Sequence, residues 1–208
     1  MREQFLAGAE TVLTAVADRR VAEAWNNPSV LQDQTVGSLV GHLARGAVVV
    51  VGDYLDRPLP DSTSVDFDSA AQYYAVATEA MTELDHAAIR QRGAEVAEAG
   101  QSAVVKRMSD GLASLRGRLP MEPADRLLTV YGDAVMRLDD YLLTRVVEQV
   151  VHLDDLARSL RIEPWVNPPG SEALVIGCGA EIGRLRKGGQ PMIRALYREV
   201  IPGTLPVV

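Results

Sequence analysis

Arg145-Val-Val-Glu148-Gln-Val-Val-His152-Leu-Asp-Asp155 is the stretch on which the reading of this chain turns. Leu142, Leu143, Val146, Val147, Val150, Val151, Leu153 and Leu156 recur at helical intervals and cover both flanks of one long helix. Between the flanks runs a single polar stripe of Tyr141, Arg145, Glu148, His152, Asp155 and Ser159. Positions i and i+4 lie on one helix face about 6 Å apart along the axis, so Glu148 and His152 share a direction. A carboxylate and an imidazole so placed can grip one metal ion, but two ligands are too few. His42, in the distant Gly41-His42-Leu-Ala-Arg45-Gly46 segment, can supply the third from a facing helix. Three protein ligands leave a coordination position open, as catalytic metal sites do. The plain alternative is that the stripe faces solvent, as charged helix faces usually do. Gln149, Asp154, Arg158 and Arg161 give the helix other polar positions to turn toward water.

Working outward, the same periodicity predicts further helices. Residues 3 to 20 place Phe5, Ala9, Val12, Leu13 and Val16 on one face, and Trp25-Asn-Asn-Pro28-Ser29 breaks that pattern. Thr35 is the expected N-cap of a second helix, Val36 to Leu55, with His42 on the flank of its apolar stripe. A connection through Pro58 and Pro60 leads to a third helix from about Asp68 to Arg92. Gly93 and Gly100 are expected to interrupt it before another helix over Ser102 to Leu115, which Pro120 and Pro123 close off. Leu127 to Tyr131 and Ala134 to Leu138 read as a small β-hairpin around Gly132-Asp133. Asp139 or Asp140 is the expected cap of the helix carrying Glu148 and His152, which should end near Arg161. Helices over Ser171 to Arg186 and Met192 to Glu199 complete the chain. The expectation is an all-α, mostly helical architecture: a four-helix bundle over residues 1–163, with residues 164–208 a helical extension packed on the same domain.

Composition sets the class. The chain has 208 residues, 47% hydrophobic and 24% charged, enough for one domain with a real core. The formal net charge of −7 argues against a nucleic-acid partner. The strongest apolar run, Ala47 to Val51, is far too short to span a membrane, and Arg2 and Glu3 lead directly into a helical pattern with no secretory signal. The single Cys178 excludes an internal disulfide and suits a reducing cytosol, so a cytoplasmic location is expected. A homodimer of bundles is compatible with these features, and no residue demands one. Lys106 and Lys187 are the only lysines, a bias we read as that of a GC-rich genome.

Trp25 to Gly46 together with Arg145 to Leu156 resembles the mycothiol-dependent maleylpyruvate isomerase N-terminal family, within the broader DinB-like metal-binding four-helix bundles. The matching pieces are Pro28-Ser29-x-Leu31, Thr35-Val36, Gly41-His42-Leu-Ala-Arg45-Gly46, and Arg145-Val-Val-Glu148 with His152 and Asp155. Their order and separation carry the match, which covers most of residues 3 to 161. Gln34 stands where many relatives carry Trp before the Thr-Val that opens the second helix. The resemblance implies that His42, Glu148 and His152 hold a divalent metal, typically zinc, which activates a small thiol such as mycothiol, or a water, toward a small-molecule substrate. It also fits the arginine-rich composition, since mycothiol is made by GC-rich actinobacteria.

Around that site, Asp155 can orient the His152 imidazole or pair with Arg158 on the helix surface. Arg45 and Arg145, each one turn from a ligand, can orient a carboxylate substrate or Glu148, or form surface salt bridges. Imidazole and carboxylate ligands also suit nickel, iron or manganese. Three functions stay open at this point: a metal-dependent thiol transferase or isomerase, a metal-dependent hydrolase using bound water, and a non-enzymatic metal-binding interaction module. His86 has no partner at ligand spacing, Cys178 reads as a small buried residue, and Gly177-x-Gly179 lacks the spacing of a dinucleotide fold.

Overall fold

The computed structural model describes residues 1–198, apart from Thr78, Ala80 and the side chain of Ala47. The chain begins with α1 (Arg2–Val16) and a short α2 (Arg19–Glu23), which Asp18 caps by accepting from the Arg20 amide. The expected helix over 3–20 is therefore two, because the Asp18 side chain competes for the backbone. Thr35 accepts from the Ser38 amide and opens α3 (Val36–Ala44), which runs without a break through a π-helical turn at Arg45–Val49 into α4 (Val50–Leu55). Such turns are frequent at functional sites, and this one begins three residues past His42.

One expected helix over Asp68 to Arg92 is instead a pair, α5 (Ala70–Ala77) and α6 (Glu83–Ala97). The reason is local chemistry: Thr82 and Asp85 form a reciprocal capping box that starts a new helix. Gly93 does not break α6. It is the point where α6 lies against α3, for a Cβ on Gly41 would stand 2.1 Å from the Gly93 carbonyl oxygen, and one on Gly93 2.9 Å from that of Ser38. The two glycines let the helix backbones touch. Gly41→Ala is expected to cost about 1–3 kcal/mol by overpacking this contact, measurable as a lower urea midpoint with an unchanged slope.

Gly100, at φ +79°, precedes α7 (Gln101–Arg118). A hairpin follows, shorter than expected: β1 (Leu127–Thr129) and β2 (Val135–Arg137) are antiparallel, with Leu128 opposite Met136. Its turn holds Gly132 and Asp133 at positive φ. From β2 the chain passes directly into α8 (Leu138–Leu160), with Arg137 in the cap position and no side-chain cap. Asp139 and Asp140 lie inside the first turn, where their charge favours the helix dipole, and Asp139 accepts from Arg2. Arg161, left-handed at φ +55°, ends α8.

The core is a four-helix bundle of α1, α3–α4, α7 and α8. Phe5 and Val12 of α1, Leu39 and Leu43 of α3, Met108 and Leu112 of α7, and Leu142 and Leu156 of α8 are fully or almost fully buried in one cluster. Each such side chain contributes about 1.5–3 kcal/mol on leaving water. Gln149, expected to meet solvent, is 1% exposed: it lies over Gly8 of α1 and donates to the Phe5 carbonyl at 3.2 Å. Asp154, Arg158 and Arg161 are exposed.

Residues 171–187 form α9 (Ser171–Lys187), followed by α10 (Gly189–Tyr197). Glu199, expected to end the last helix, and the remaining C-terminal residues lie outside the described residues. Helix α9 packs on α5 and α8 through a second small core, in which Cys178 and Ile182 meet Ala70, Ala71 and Tyr74. Arg186 clamps the end of α5 by donating to the carbonyls of Tyr74, at 2.8 Å, and Ala75. Among the described residues no helix is long and apolar enough to cross a membrane.

Candidate metal centre

The polar stripe of α8 faces inward at its middle, toward α3. This brings together the three residues expected to act as ligands. His42 Nε2 lies 3.2 Å from Glu148 Oε2, and His152 Nε2 lies 3.3 Å from the same oxygen. The two imidazoles meet edge to face, with centroids 4.8 Å apart and planes at 87°. One donor atom from each of the three residues falls within 4.8 Å of the others. Two ligands about 2.0–2.1 Å from a tetrahedral zinc stand about 3.4 Å apart, and the two spacings from Glu148 to the imidazoles match that separation. Two neutral nitrogens and one anionic oxygen are also the donor set such an ion prefers.

His152 and Glu148 are fixed by their neighbours. His152 Nδ1 lies 2.9 Å from Asp155 Oδ2, which turns Nε2 toward the cluster. Asp155 is 8% exposed, and its other oxygen lies 3.9 Å from Arg158, so the orienting contact and the helix-surface contact coexist. Ser159 donates to the Asp155 carbonyl. Glu148 Oε1 accepts from the Tyr74 hydroxyl at 3.0 Å, leaving Oε2 to the imidazoles. The same hydroxyl lies 3.1 Å from the Thr144 carbonyl.

Burial alone would raise the Glu148 pKa, but hydrogen bonds to His152 and His42 and the charge of Arg145 hold it well below the usual carboxylate range. Burial opposes charge on His152 too, and Asp155 and Glu148 overcome it, raising the imidazole to about 9. Without metal, the cluster at neutral pH is a carboxylate bonded to an imidazolium. Burial lifts the Tyr74 phenol well above its ordinary value, with Glu148 adding to the effect, so the hydroxyl remains a donor.

Arg145 lies over the Tyr141 ring, 4.8 Å from its centroid, and donates to Thr144 Oγ1 at 2.9 Å. Among the described residues it makes no salt bridge, and neither does Arg45. Both line a cavity of about 350 Å³ that opens beside His42 and Glu148, walled by Tyr54, Tyr73, Tyr74 and Tyr141. Gly46 lies beside this face, where a Cβ would stand 4.0 Å from Glu148 Oε2, an ordinary van der Waals contact. His86 is exposed, and Cys178 is buried in the second core beside Tyr74; neither is among the three converging residues.

Sequence reasoning missed Tyr74. Tyr74 belongs to α5, a helix of small residues with no ligand spacing to Glu148, and its one visible sign is a pair of tyrosines in an alanine-rich segment. Tyr74→Phe keeps the ring and removes the donor to Glu148. We expect it to weaken metal binding roughly tenfold, the low end for outer-shell partners of metal ligands. Competition with a chromophoric chelator reads this directly, and an affinity equal to native would remove Tyr74 from the site.

A helical bundle with two histidines and a glutamate converging beside an open cavity is the general architecture defined here. The chain belongs to the mycothiol maleylpyruvate isomerase N-terminal domain family, which matches residues 5–157. The matched segment contains all three converging residues and Asp155. It ends before α9, so the clamp on Tyr74 comes from outside it. Comparison with curated proteins and with solved structures gives no match.

Proposed function

We propose that this protein is a divalent-metal-dependent transferase or isomerase that works with a small thiol of the mycothiol type, with His42, Glu148 and His152 as the ligands and zinc as the metal. The observation that carries the reading is the position of the cluster: its three donors converge beside a cavity that His42 and Glu148 line. A closed structural site needs no such cavity, and neither does an interaction module. Bound there, a zinc ion would lower the pKa of a coordinated thiol or water into the neutral range.

The chain's own residues do the rest. Asp155 keeps His152 Nε2 pointed at the cluster, and Tyr74 holds one Glu148 oxygen so that the other is presented. The tyrosine rings exclude water from the side of the cavity on which Glu148 lies. A small substrate fits a volume near the low end for ligand pockets. The family match supports the thiol, and the single buried cysteine agrees with a cytoplasmic setting.

The test has two stages. Protein purified without chelators is analysed for metal beside His152→Ala; near-stoichiometric zinc in the first, lost in the second, is the expected result. Turnover of electrophilic substrates is then measured with and without a small thiol. Thiol-independent hydrolysis would replace this reading with that of a hydrolase, and a metal-free native protein that takes up none on titration would end it.

A further inference from the structure

The segment that matches the family ends before α9, yet α9 reaches the converging donors through α5. Helix α5 has eight residues, and a helix that short is not stable alone in water. Its start is capped locally, where Ser69 accepts from the Gln72 amide at 3.2 Å. Its end is capped from another element. The carbonyls of Tyr74 and Ala75 are among the last four of α5, the ones a helix leaves without internal partners. Arg186, in the last turn of α9, donates to both, at 2.8 and 3.4 Å. Its charge lies at the negative end of the α5 dipole.

The residue held in this way bonds to a converging donor. Tyr74 is buried in the second core with Cys178 and Ile182 of α9, and Leu143 and Val147 of α8 pack against it. Its hydroxyl has one proton and two acceptors on α8: Glu148 Oε1 at 3.0 Å and the Thr144 carbonyl at 3.1 Å. The two distances are nearly equal, so a small slide of α5 along α8 hands the proton from the carboxylate to the carbonyl. Glu148 then loses the bond that holds Oε1 and presents Oε2. Arg186 itself is exposed and enters neither core, so its hold on α5 is separate from packing. Arg184, two residues before it, instead pairs with Glu181 on α9 at 2.6 Å.

We propose that Arg186 is a positioning residue of the metal centre: by holding the end of α5 it keeps the Tyr74 hydroxyl on Glu148. A helix beyond the family-matched segment thus raises the metal affinity of a site built within that segment. The inference rests on reading the three donors as a metal site.

Competition between a chromophoric chelator and the full-length protein for zinc tests the brace, in chains with Tyr74 and in chains carrying Tyr74→Phe. With Tyr74 present, Arg186→Gln is expected to weaken zinc binding roughly three- to tenfold, at or below the low end for partners that touch a ligand directly. With Tyr74→Phe it is expected to have no further effect, because the hydroxyl through which it acts is gone. Arg186→Lys should recover part of the loss, since an ammonium can still donate to one carbonyl, and Arg184→Gln should bind as native protein does. In metal-free protein the NMR resonance of the ring carbon bearing the Tyr74 hydroxyl, assigned by its loss in Tyr74→Phe, should move in Arg186→Gln toward its position in Glu148→Gln. Native zinc affinity in Arg186→Gln would overturn the proposal. So would an equal loss with and without the Tyr74 hydroxyl, or an equal loss in Arg184→Gln. Native protein that binds no zinc ends the metal reading, and the resonance then decides: a shift in Arg186→Gln keeps the brace on Tyr74, and an unmoved resonance removes it too.

Discussion

Protein carrying Glu148→Gln is expected to emerge from purification with almost no bound metal, its affinity at least 100-fold below native. The substitution preserves shape and leaves the bundle's apolar contacts untouched. It removes the one negative charge among the three converging donors, and an amide oxygen is a far poorer ligand for a small divalent ion than a carboxylate. Tyr74 can still donate to the amide oxygen, but the amide must then turn its NH₂ group toward His42 and His152, where it opposes an incoming cation. The measurement is metal-to-protein ratio by mass spectrometry, with circular dichroism to show that the helices persist. Retention of stoichiometric metal by a folded Glu148→Gln protein would remove Glu148 from the ligand set.

The second large effect is on pH. In the metal-free protein His152 holds its proton up to about pH 9, against 6.5 for an unperturbed imidazole. A raised imidazole stabilises the fold fully below pH 6.5, and that contribution is lost as pH climbs through 9. The shift corresponds to about 3 kcal/mol at most. Glu148 acts in the opposite sense: its pKa is depressed, so its contribution is present above the unfolded value of 4.5 and lost on acidification. Metal-free protein should therefore be most stable between about pH 5 and 6.5, seen as a maximum in denaturant midpoint. Metal must displace the His152 proton, so affinity should rise about tenfold per pH unit from 7 and level off near 9. Asp155→Asn should flatten that slope, because it removes the first partner that holds the proton. A metal affinity independent of pH between 7 and 9 would contradict the arrangement.

The α8 stripe was legible because six polar residues at alternating intervals of four and three cannot arise from any other regular element. What the spacing could not decide was whether the stripe met water or protein. Tyr141 and Asp155 are buried while Val151, on an apolar flank, is 41% exposed. That choice depends on α3 and α5, and only the pairing of the His42 segment with the Glu148 segment hinted at it. Gln149 misled for a related reason: polarity alone says outward, yet Gly8 on α1 leaves a space of amide size over it. Gly93 misled because a glycine within a helix was read as a break, whereas here it makes a contact. The split at Thr82 is marked in the sequence by the Thr82-x-x-Asp85 spacing of a capping box, which the reading of one helix from Asp68 to Arg92 does not use. Tyr74 left only the tyrosine pair as a trace, since its role comes from a helix packed across the site.

The π-turn at Arg45–Val49 has one more effect, on how this site can change. One extra residue in a helix swings everything downstream by about 100°. His42 lies upstream, held in register by the Gly41–Gly93 contact, while Val50, Asp53 and Tyr54, which wall the cavity, lie downstream. The turn thus works as a swivel between two halves of one helix. Replacements beyond it can reshape the chamber while the metal-facing half keeps its angle, so a lineage can retune what the chamber admits without disturbing the ion.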